Sequence, residues 1–600
     1  MMNMKSNFLK TILMAFLPLC VVSCVDNVPE VEVLPKDPIS FEYYIDQKTE
    51  PKYYLDFYVD SDITFVNTSP TEGLAEWDFD ADGIVDTVGN VVTHAFSKAG
   101  SYNVQLNIAD KKLKQVIMIA PIKPLVTIKY PADASICEVR KTPITFEVEL
   151  PNPKNKPAVF KWTFPTDSKY ADGAEATYFE TEYFTSPSDS IIPLPDAVKF
   201  WHVGSQDVKL EVILGGEPLE NVVKNVPVAY DKEVPTLYYA VQGGRIMAYK
   251  LTNDQQPEDM NIVSYDLGVS SGQHPFNLLF QDSLLYVLDA GKQFYYVNDV
   301  NGVLGDGKIS VISKDGSKVQ TMISNVGQAA FDDPFYGYIE GKDLYYANRN
   351  TGIIKVPLKD RDKMYSASEY PYYINHNTLG YYNNGIAYGA IGGSFGKVPM
   401  KDKEGNTTNV WHWCKFYNAN GIFRFKDGLA PDGDILPAAI TQGDDTNVPK
   451  AGVMLSSMKP RSFVYTGKST TPKFLVALKD ADANGIFAAT YDEMDAVGSS
   501  KNALKAYEKK FNGMSFASNL SGNLPSVEGS GDETVGICQM AYDEVNDCVY
   551  FGFRNNSTQS SLYPPTGIYR YNVATDVIDC LIEGPSVYGL VVNNTPSKLF

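Results

Sequence analysis

Residues 538–584 read CQMAYDEVNDCVYFGFRNNSTQSSLYPPTGIYRYNVATDVIDCLIEG. Four short aromatic and β-branched runs lie in this stretch, separated by turn residues, and that punctuation predicts four strands. The same grammar recurs upstream. LLYVLDA (284–290) precedes GKISVISKDG (307–316), DLYYANRNTG (343–352) precedes IIKVPL (353–358), FLVALKDADAN (474–484) precedes GIFAATYD (485–492), and LYYAVQG (237–243) precedes RIMAYKL (245–251). A recurrence at roughly 50 to 60 residues is somewhat longer than the regular repeat families of about 40 to 50. From residue 231 to 600 the chain therefore reads as a β-propeller of six or seven blades. Six pairs of second and third strands are clear, at 236–250, 284–313, 343–358, 385–425, 474–490 and 548–574; a seventh follows if 396–400 and 421–425 belong to different blades. The run 587–592 has no partners after it, and 237–240 has no good strand before it. Pairing the two would close the ring and remove its open edges.

Composition agrees with an all-β chain of several domains. Six hundred residues exceed one hydrophobic core, and 44% hydrophobic with 12% aromatic residues excludes a disordered chain. The 39 tyrosines suit pleated surfaces and polar ligands alike. A formal charge of −20 with no basic cluster argues against nucleic acid as a partner.

Upstream of the propeller the chain divides into four segments. Residues 1–23 carry Lys5, an apolar run from Phe8 and then Val21-Val22-Ser23-Cys24, too short and interrupted to span a bilayer, so they read as an export signal. The small residue before Cys24 resembles the lipobox of bacterial lipoproteins. That resemblance implies acylation of Cys24 and an outer-membrane lipid anchor, with ordinary secretion as the alternative. Residues 24–37 form a Pro- and acid-containing linker. Signal and spacer together resemble surface lipoproteins of the Bacteroidetes, which implies display towards the cell exterior.

Residues 38–120 carry Trp77-Asp78-Phe79-Asp80-Ala81-Asp82-Gly83, His94-Ala95-Phe96 and Gly100-Ser101-Tyr102-Asn103-Val104-Gln105-Leu106. The set resembles the PKD family of Ig-like β-sandwiches and implies a spacer or adhesion module. Residues 121–230 repeat the landmarks at Phe160-Lys161-Trp162-Thr163-Phe164 and 204–212 without the acidic turn, which makes them a second, generic Ig-like sandwich.

Asp78, Asp80, Asp82 and Asp86 have the spacing of a calcium loop in which Gly83 permits the sharp turn, although Gly89 stands where a bidentate Glu is expected. A plain hairpin turn is the simpler reading. Asp480, Asp482 and Asn484 ahead of Gly485 give a weaker version of the same pattern.

Within the propeller, connections between second and third strands are long and aromatic. Tyr295 and Tyr296, Trp411, His412 and Trp413, and Tyr563 fall there, and Tyr372 and Tyr373 fall between blades. Flat rings beside Asn, Asp and Gln suit a glycan first and a peptide second, by stacking and hydrogen bonding; packing of the loops against one another is the alternative. Ser500 is expected to cap one helix, with Leu504, Tyr507 and Phe511 at helical spacing and Asn512-Gly513 ending it.

No catalytic signature stands out. The two G-x-S-x-G strings at 268–272 and 392–396 have no helix after them, H-E-x-x-H is absent, and the five cysteines beyond Cys24 form no close pair. Resemblance to Bacteroidetes lipoproteins of this layout implies nutrient capture beside a TonB-dependent, SusC/SusD-like transporter. A propeller-type polysaccharide lyase or glycoside hydrolase, needing paired carboxylates or a Tyr/His/Arg set, and an adhesion or scaffold protein are the competing classes.

Overall fold

The computed structural model describes residues 39–599 except 46–56, 183, 186–191, 242, 253–262, 292–305, 325–332, 349–351, 360–364, 367–371, 376–391, 402–404, 418, 426–451, 479–484, 512–536, 538 and 555–563. Nearly every described element is a strand, and the strands fall into several sheets.

The first module is two facing sheets. Phe41–Ile45, Ile63–Asn67 and Val91–His94 form one, and Phe57–Tyr58, Lys111–Ala120, Gly100–Ile108, Ala75–Asp78 and Thr87–Val88 form the other. Alternation along Gly100–Ile108 sends Val104 and Leu106 inward, where they meet Phe65, Trp77 and Phe96 in one core. The second module is dominated by one seven-stranded sheet built on Gly204–Leu214, whose residues alternate buried and half-exposed over most of its length. Both modules stack a tryptophan on the phenylalanine two residues later: Trp77 and Phe79 at 6.3 Å and 8°, Trp162 and Phe164 at 6.2 Å and 5°. The shared W-x-F landmark therefore does the same packing twice.

Among the described residues six antiparallel meanders follow. Sheet one is Val587–Ser597, Val234–Val241, Arg245–Lys250 and Ser264–Ser270. Sheet two is Pro275–Gln281, Leu284–Asp289, Lys308–Ser313 and Val319–Ser324, with Tyr365–Ser366 on its edge. Sheet three is Pro334–Glu340, Asp343–Asn348, Gly352–Pro357 and Tyr372–Asn375; sheet four is Gly392–Lys401, Thr407–Tyr417, Ala419–Phe425 and Gly452–Met454. Sheet five is Pro460–Tyr465, Phe474–Leu478, Gly485–Ala489 and Lys509–Phe511; sheet six is Met540–Asp543, Cys548–Phe553, Gly567–Asn572 and Val577–Glu583. The first strands neighbour one another in the cyclic order two, three, four, five, six, one, and back to two.

Closure is made by the chain's last strand. Val587–Ser597 pairs with Val234–Val241, as the two unpartnered runs suggest, and the pairing is antiparallel with Leu590 opposite Tyr239 and Val592 opposite Leu237. By contrast, 396–400 and 421–425 flank one strand, Thr407–Tyr417, within sheet four, so the division that a seventh sheet needs is not made there.

A first strand pairs on one side only, which leaves backbone groups towards the axis that need partners. Gln539 and Asn277 supply some. The Gln539 carbonyl accepts from Leu278 N and Leu590 N at 3.0 Å each, its amide donates to Leu278 O at 2.9 Å, and Asn277 Oδ1 accepts from Gly337 N at 3.0 Å.

The helical prediction needs correction. α1 (Tyr491–Ala496) starts at a capping box, Thr490 with Glu493, and α2 (Lys501–Lys505) is capped by Ser500 as expected. Phe511, however, ends the strand Lys509–Phe511 and faces the ring core, because this stretch supplies the fourth strand of sheet five.

Candidate functional site

Two places gather polar side chains that packing alone does not require. The first is the end of the ring where first strands begin. Sheets two, three and five open on His274-Pro275-Phe276, Asp333-Pro334-Phe335 and Lys459-Pro460-Arg461. Proline has no N–H, so it suits the first position of a strand, and each of these strands carries a register irregularity just after it. A bulge re-aims the residue it inserts. In sheets two and three that residue is a buried phenyl ring; in sheet five it is the fully buried Arg461.

Second strands end at the same level. Asp289, 2% exposed, accepts from His274 N at 2.8 Å and from Gly291 N at 3.3 Å. Burial lifts its carboxyl to about 6, against the pull of those amides and of Lys308. Gly272 (φ +130°) lies so close that a Cβ there would sit 1.6 Å from Asp289 Oδ2. His274 Nδ1 is 2.6 Å from Gly291 O, a carbonyl that can only accept, so Nδ1 carries the proton. Asp333 Oδ1 accepts from Gly307 N at 2.7 Å. Arg554, fully buried, places its guanidinium 3.9 Å from the ring centre of Tyr588, and Tyr588 meets His274 edge-on at 5.4 Å. Arg554, Tyr588 and His274 thus link sheets six, one and two with a cation, a phenol and an imidazole.

Of these residues the sequence draws attention only to His274, which stands alone in sequence and reads as a satisfied loop histidine. The signal was present in the repeated X-Pro-X openings at 275, 334 and 460, which only a residue-by-residue alignment of the repeats would reveal.

The second place is the acidic turn of the first module. Asp78, Asp80 and Asp86 bring one carboxylate oxygen each to within 4.8 Å of one another. Asp78, 1% exposed, accepts from Asp82 N at 3.2 Å and Gly83 N at 2.9 Å, and Asp86 accepts from Phe79 N at 2.7 Å. Each carboxylate retains lone pairs beyond those bonds, so the three fit a hard cation. Asp82 does not join them; its carboxylate caps Ile84 N at 2.7 Å. His94 stacks on Phe79 at 3.9 Å beside this group, and burial lowers its pKa against the opposing field of Asp86 and Asp80. The turn also serves the fold, since Trp77 Nε1 donates to Gly89 O at 2.8 Å, whereas among the described residues Trp162 Nε1, in the module that lacks the turn, meets no acceptor.

The aromatic residues expected in a polar insertion lie elsewhere. Trp411, His412 and Trp413 are in the middle of the strand Thr407–Tyr417, and they are 0%, 0% and 4% exposed. Trp411 packs edge-on against Tyr338 and Tyr345 at 5.3 and 5.1 Å, with Tyr373 at 6.0 Å and Lys397 Nζ 4.8 Å from its ring centre. Gly392–Lys401 pairs with Thr407–Tyr417 from Lys401 opposite Thr407 onward, so WHWC lies inside the strand.

His412 is held in a closed relay. Its Nδ1–H donates to Val410 O at 2.8 Å, its Nε2 accepts from Tyr491 at 2.6 Å, and Tyr491 in turn accepts from Arg424, which pairs with Asp495 at 2.8 Å. Burial drives its pKa to about 3, so it stays neutral and has no lone pair left for a ligand. Tyr372 lies on the strand Tyr372–Asn375 and Tyr373 is half-buried against the ring core. Cys24, Tyr295, Tyr296, Asp480, Asp482, Asn484 and Tyr563 lie outside the described residues. Among the described residues no helix is long and apolar enough to cross a membrane.

No family model matches this chain, and no curated protein matches it. Among solved structures it is similar to a quinoprotein alcohol dehydrogenase-like protein from Bacteroides thetaiotaomicron, with 12% identity, TM-score 0.33, and 78% of this chain and 97% of that one covered. It is also similar to a DUF4784 family protein from Bacteroides caccae, at 8% identity, TM-score 0.25, and 78% and 98% coverage. A third is the extracellular domain of a hybrid two-component system from B. thetaiotaomicron, at 10% identity, TM-score 0.25, and 91% and 80% coverage. At these scores and identities the likenesses assign neither an activity nor a ligand to this chain.

Proposed function

We propose that this chain is a six-bladed propeller carried on two Ig-like sandwich modules, the first of them PKD-like, and anchored in the outer membrane by a lipid on Cys24. It captures a nutrient ligand, a glycan before a peptide, at the mouth of the ring and passes it to a TonB-dependent, SusC/SusD-like transporter. The blade number is supported by the cyclic order of the first strands and by the closing strand Val587–Ser597.

The single observation that carries the binding reading is the gathering of His274, Asp289, Asp333, Arg461, Arg554 and Tyr588 at one end of the ring, all buried. Buried charge is costly, and proteins keep it chiefly where it is paired or used. Calcium held by Asp78, Asp80 and Asp86 would stiffen the first module.

The test is a thermal-shift and product screen of residues 25–600 against oligosaccharides and peptides, with and without calcium. A glycan that stabilises the protein and is recovered intact, with the stabilisation lost in Arg554→Met, supports capture. A ligand that is consumed overturns this reading in favour of a lyase or hydrolase, and a screen without a hit favours adhesion. Calcium should raise the unfolding temperature of the first module, and Asp86→Asn should remove that rise.

A further inference from the structure

The two junctions in this chain are built from different materials, and we infer that the molecule articulates at one of them only, between the first and second modules, through a contact that salt can open. Among the described residues, ion pairs join the first module to the second through two turns. In the first module, Ser61 N bonds Tyr58 O at 3.0 Å, and Asp60 adopts φ +67°. In the second, Asn152 bonds both the amide and the carbonyl of Lys156, at 2.9 and 2.8 Å, and so fixes the loop that carries Lys154 and Lys156. Lys156 then pairs with Asp60 at 2.6 Å and Lys154 with Asp62 at 2.5 Å. All four side chains keep between 25% and 56% of their surface in water. Among the described residues the apolar core of the first module includes nothing from the second. The covalent link is Pro121-Ile122-Lys123-Pro124, short and stiffened by two prolines, which limits the swing without preventing it.

The second module and the ring are joined differently. One apolar cluster runs from Phe160, Trp162 and Val208 through to Tyr238, Leu278 and Leu285 in sheets one and two. Tyr265 lies flat on Gly204 (φ +101°), where a Cβ would meet its ring at 2.2 Å. The segment that closes the ring also clasps the module: Lys598 pairs with Glu138 at 2.6 Å, and Tyr230 N donates to Lys598 O at 2.9 Å. The buried Lys250 amine holds the same segment through Ser597 O at 2.8 Å and Leu599 O at 2.6 Å. Ring and second module therefore move as one head on the first module.

Screening separates the two. The Debye length falls from about 10 Å at 0.1 M to about 3 Å at 1 M salt, which weakens exposed ion pairs while leaving apolar burial intact. The experiment is pulsed electron–electron distance measurement on residues 25–600, which retain every described residue, in a Cys538→Ser, Cys580→Ser background. One spin-label pair is on Lys112→Cys and Val223→Cys, across the first junction; a second is on Val223→Cys and Val319→Cys, across the other. All three sites are exposed. Between 0.05 and 1 M salt the 112–223 distribution should widen at least twofold and the 223–319 distribution should stay unchanged. Asp60→Asn with Asp62→Asn should widen 112–223 already at low salt. A 112–223 width that salt leaves unchanged, or a 223–319 width that grows equally, overturns the inference.

Discussion

The junction of the first and second modules and the junction of the second module and the ring lie within one chain and obey different physics. At the first, lysines reach from one turn to aspartates on another across water-exposed ground. At the second, a continuous apolar cluster is tied off by the strand that closes the ring. Exposed pairs are worth about 0.2–1 kcal/mol each, whereas burying a single large apolar side chain is worth about 1.5–3 kcal/mol. A boundary between sequence modules is therefore not the same thing as a boundary between mechanical bodies. Here the second module belongs by sequence with the first, through its W-x-F landmark, and by packing with the ring.

The closing strand is where damage to the head should be most severe. Truncation after Gly584 removes the partner of Val234–Val241, both carbonyls that Lys250 holds, and the Lys598 clasp. The expected loss is the whole stability of the head, about 5–15 kcal/mol, with the first module still folded. Loss of the main calorimetric transition would be the readout. Next is Gly204→Val, which forces a branched side chain into a left-handed backbone position and into the face of Tyr265. It should cost about 2–4 kcal/mol and lower the transition shared by the ring and second module, with the first module's transition unmoved.

Acid sharpens the contrast further. His412 is neutral in the folded ring, with its pKa driven to about 3, while the unfolded chain takes up a proton near 6.5. The unfolded state therefore binds more protons between those values, and the stability His412 contributes is lost as pH falls below about 6.5, by about 1.4 kcal/mol per pH unit. The stability gap between the parent and His412→Asn should close by about 2 kcal/mol from pH 6.5 to 5, as read in chemical denaturation. Asp289 acts in the opposite sense over pH 4 to 6, since its raised folded pKa favours the native state in acid. Smallest of all is Asp60→Asn with Asp62→Asn, which should cost at most about 1 kcal/mol per pair at low salt and nothing measurable at 1 M.

Strand positions were legible in the sequence because hairpin turns punctuate them, and the ring's ends were legible because each lacked a local partner. Trp411 to Trp413 were not. The second strands of the ring are buried on both faces, as the unbroken burial of Phe474–Leu478 and Cys548–Phe553 shows, so inward and outward residues cease to alternate. A run such as WHWC after a polar hairpin then looks like an aromatic insertion. Helical spacing places Phe511 with Leu504 and Tyr507, yet the chain turns into a strand before it, and the T-x-x-E pattern at Thr490 and Glu493 marks the start of a separate helix. In the acidic turn, carboxylate oxygens of Asp78, Asp80 and Asp86 lie within 4.8 Å of one another, and Asp82 caps the backbone instead. The buried charge at the mouth was illegible because the residues that assemble there lie up to about 300 positions apart along the chain.

The most direct test is differential scanning calorimetry of residues 25–600, with the transitions assigned by Trp77→Ala and Trp162→Ala. If the second module and the ring share one core, two transitions should be seen. Trp77→Ala should move or remove only the smaller one, and Trp162→Ala should lower the larger one, which also carries the unfolding of the ring. Three separate transitions, or a Trp162→Ala effect confined to the transition that Trp77→Ala moves, would contradict the account.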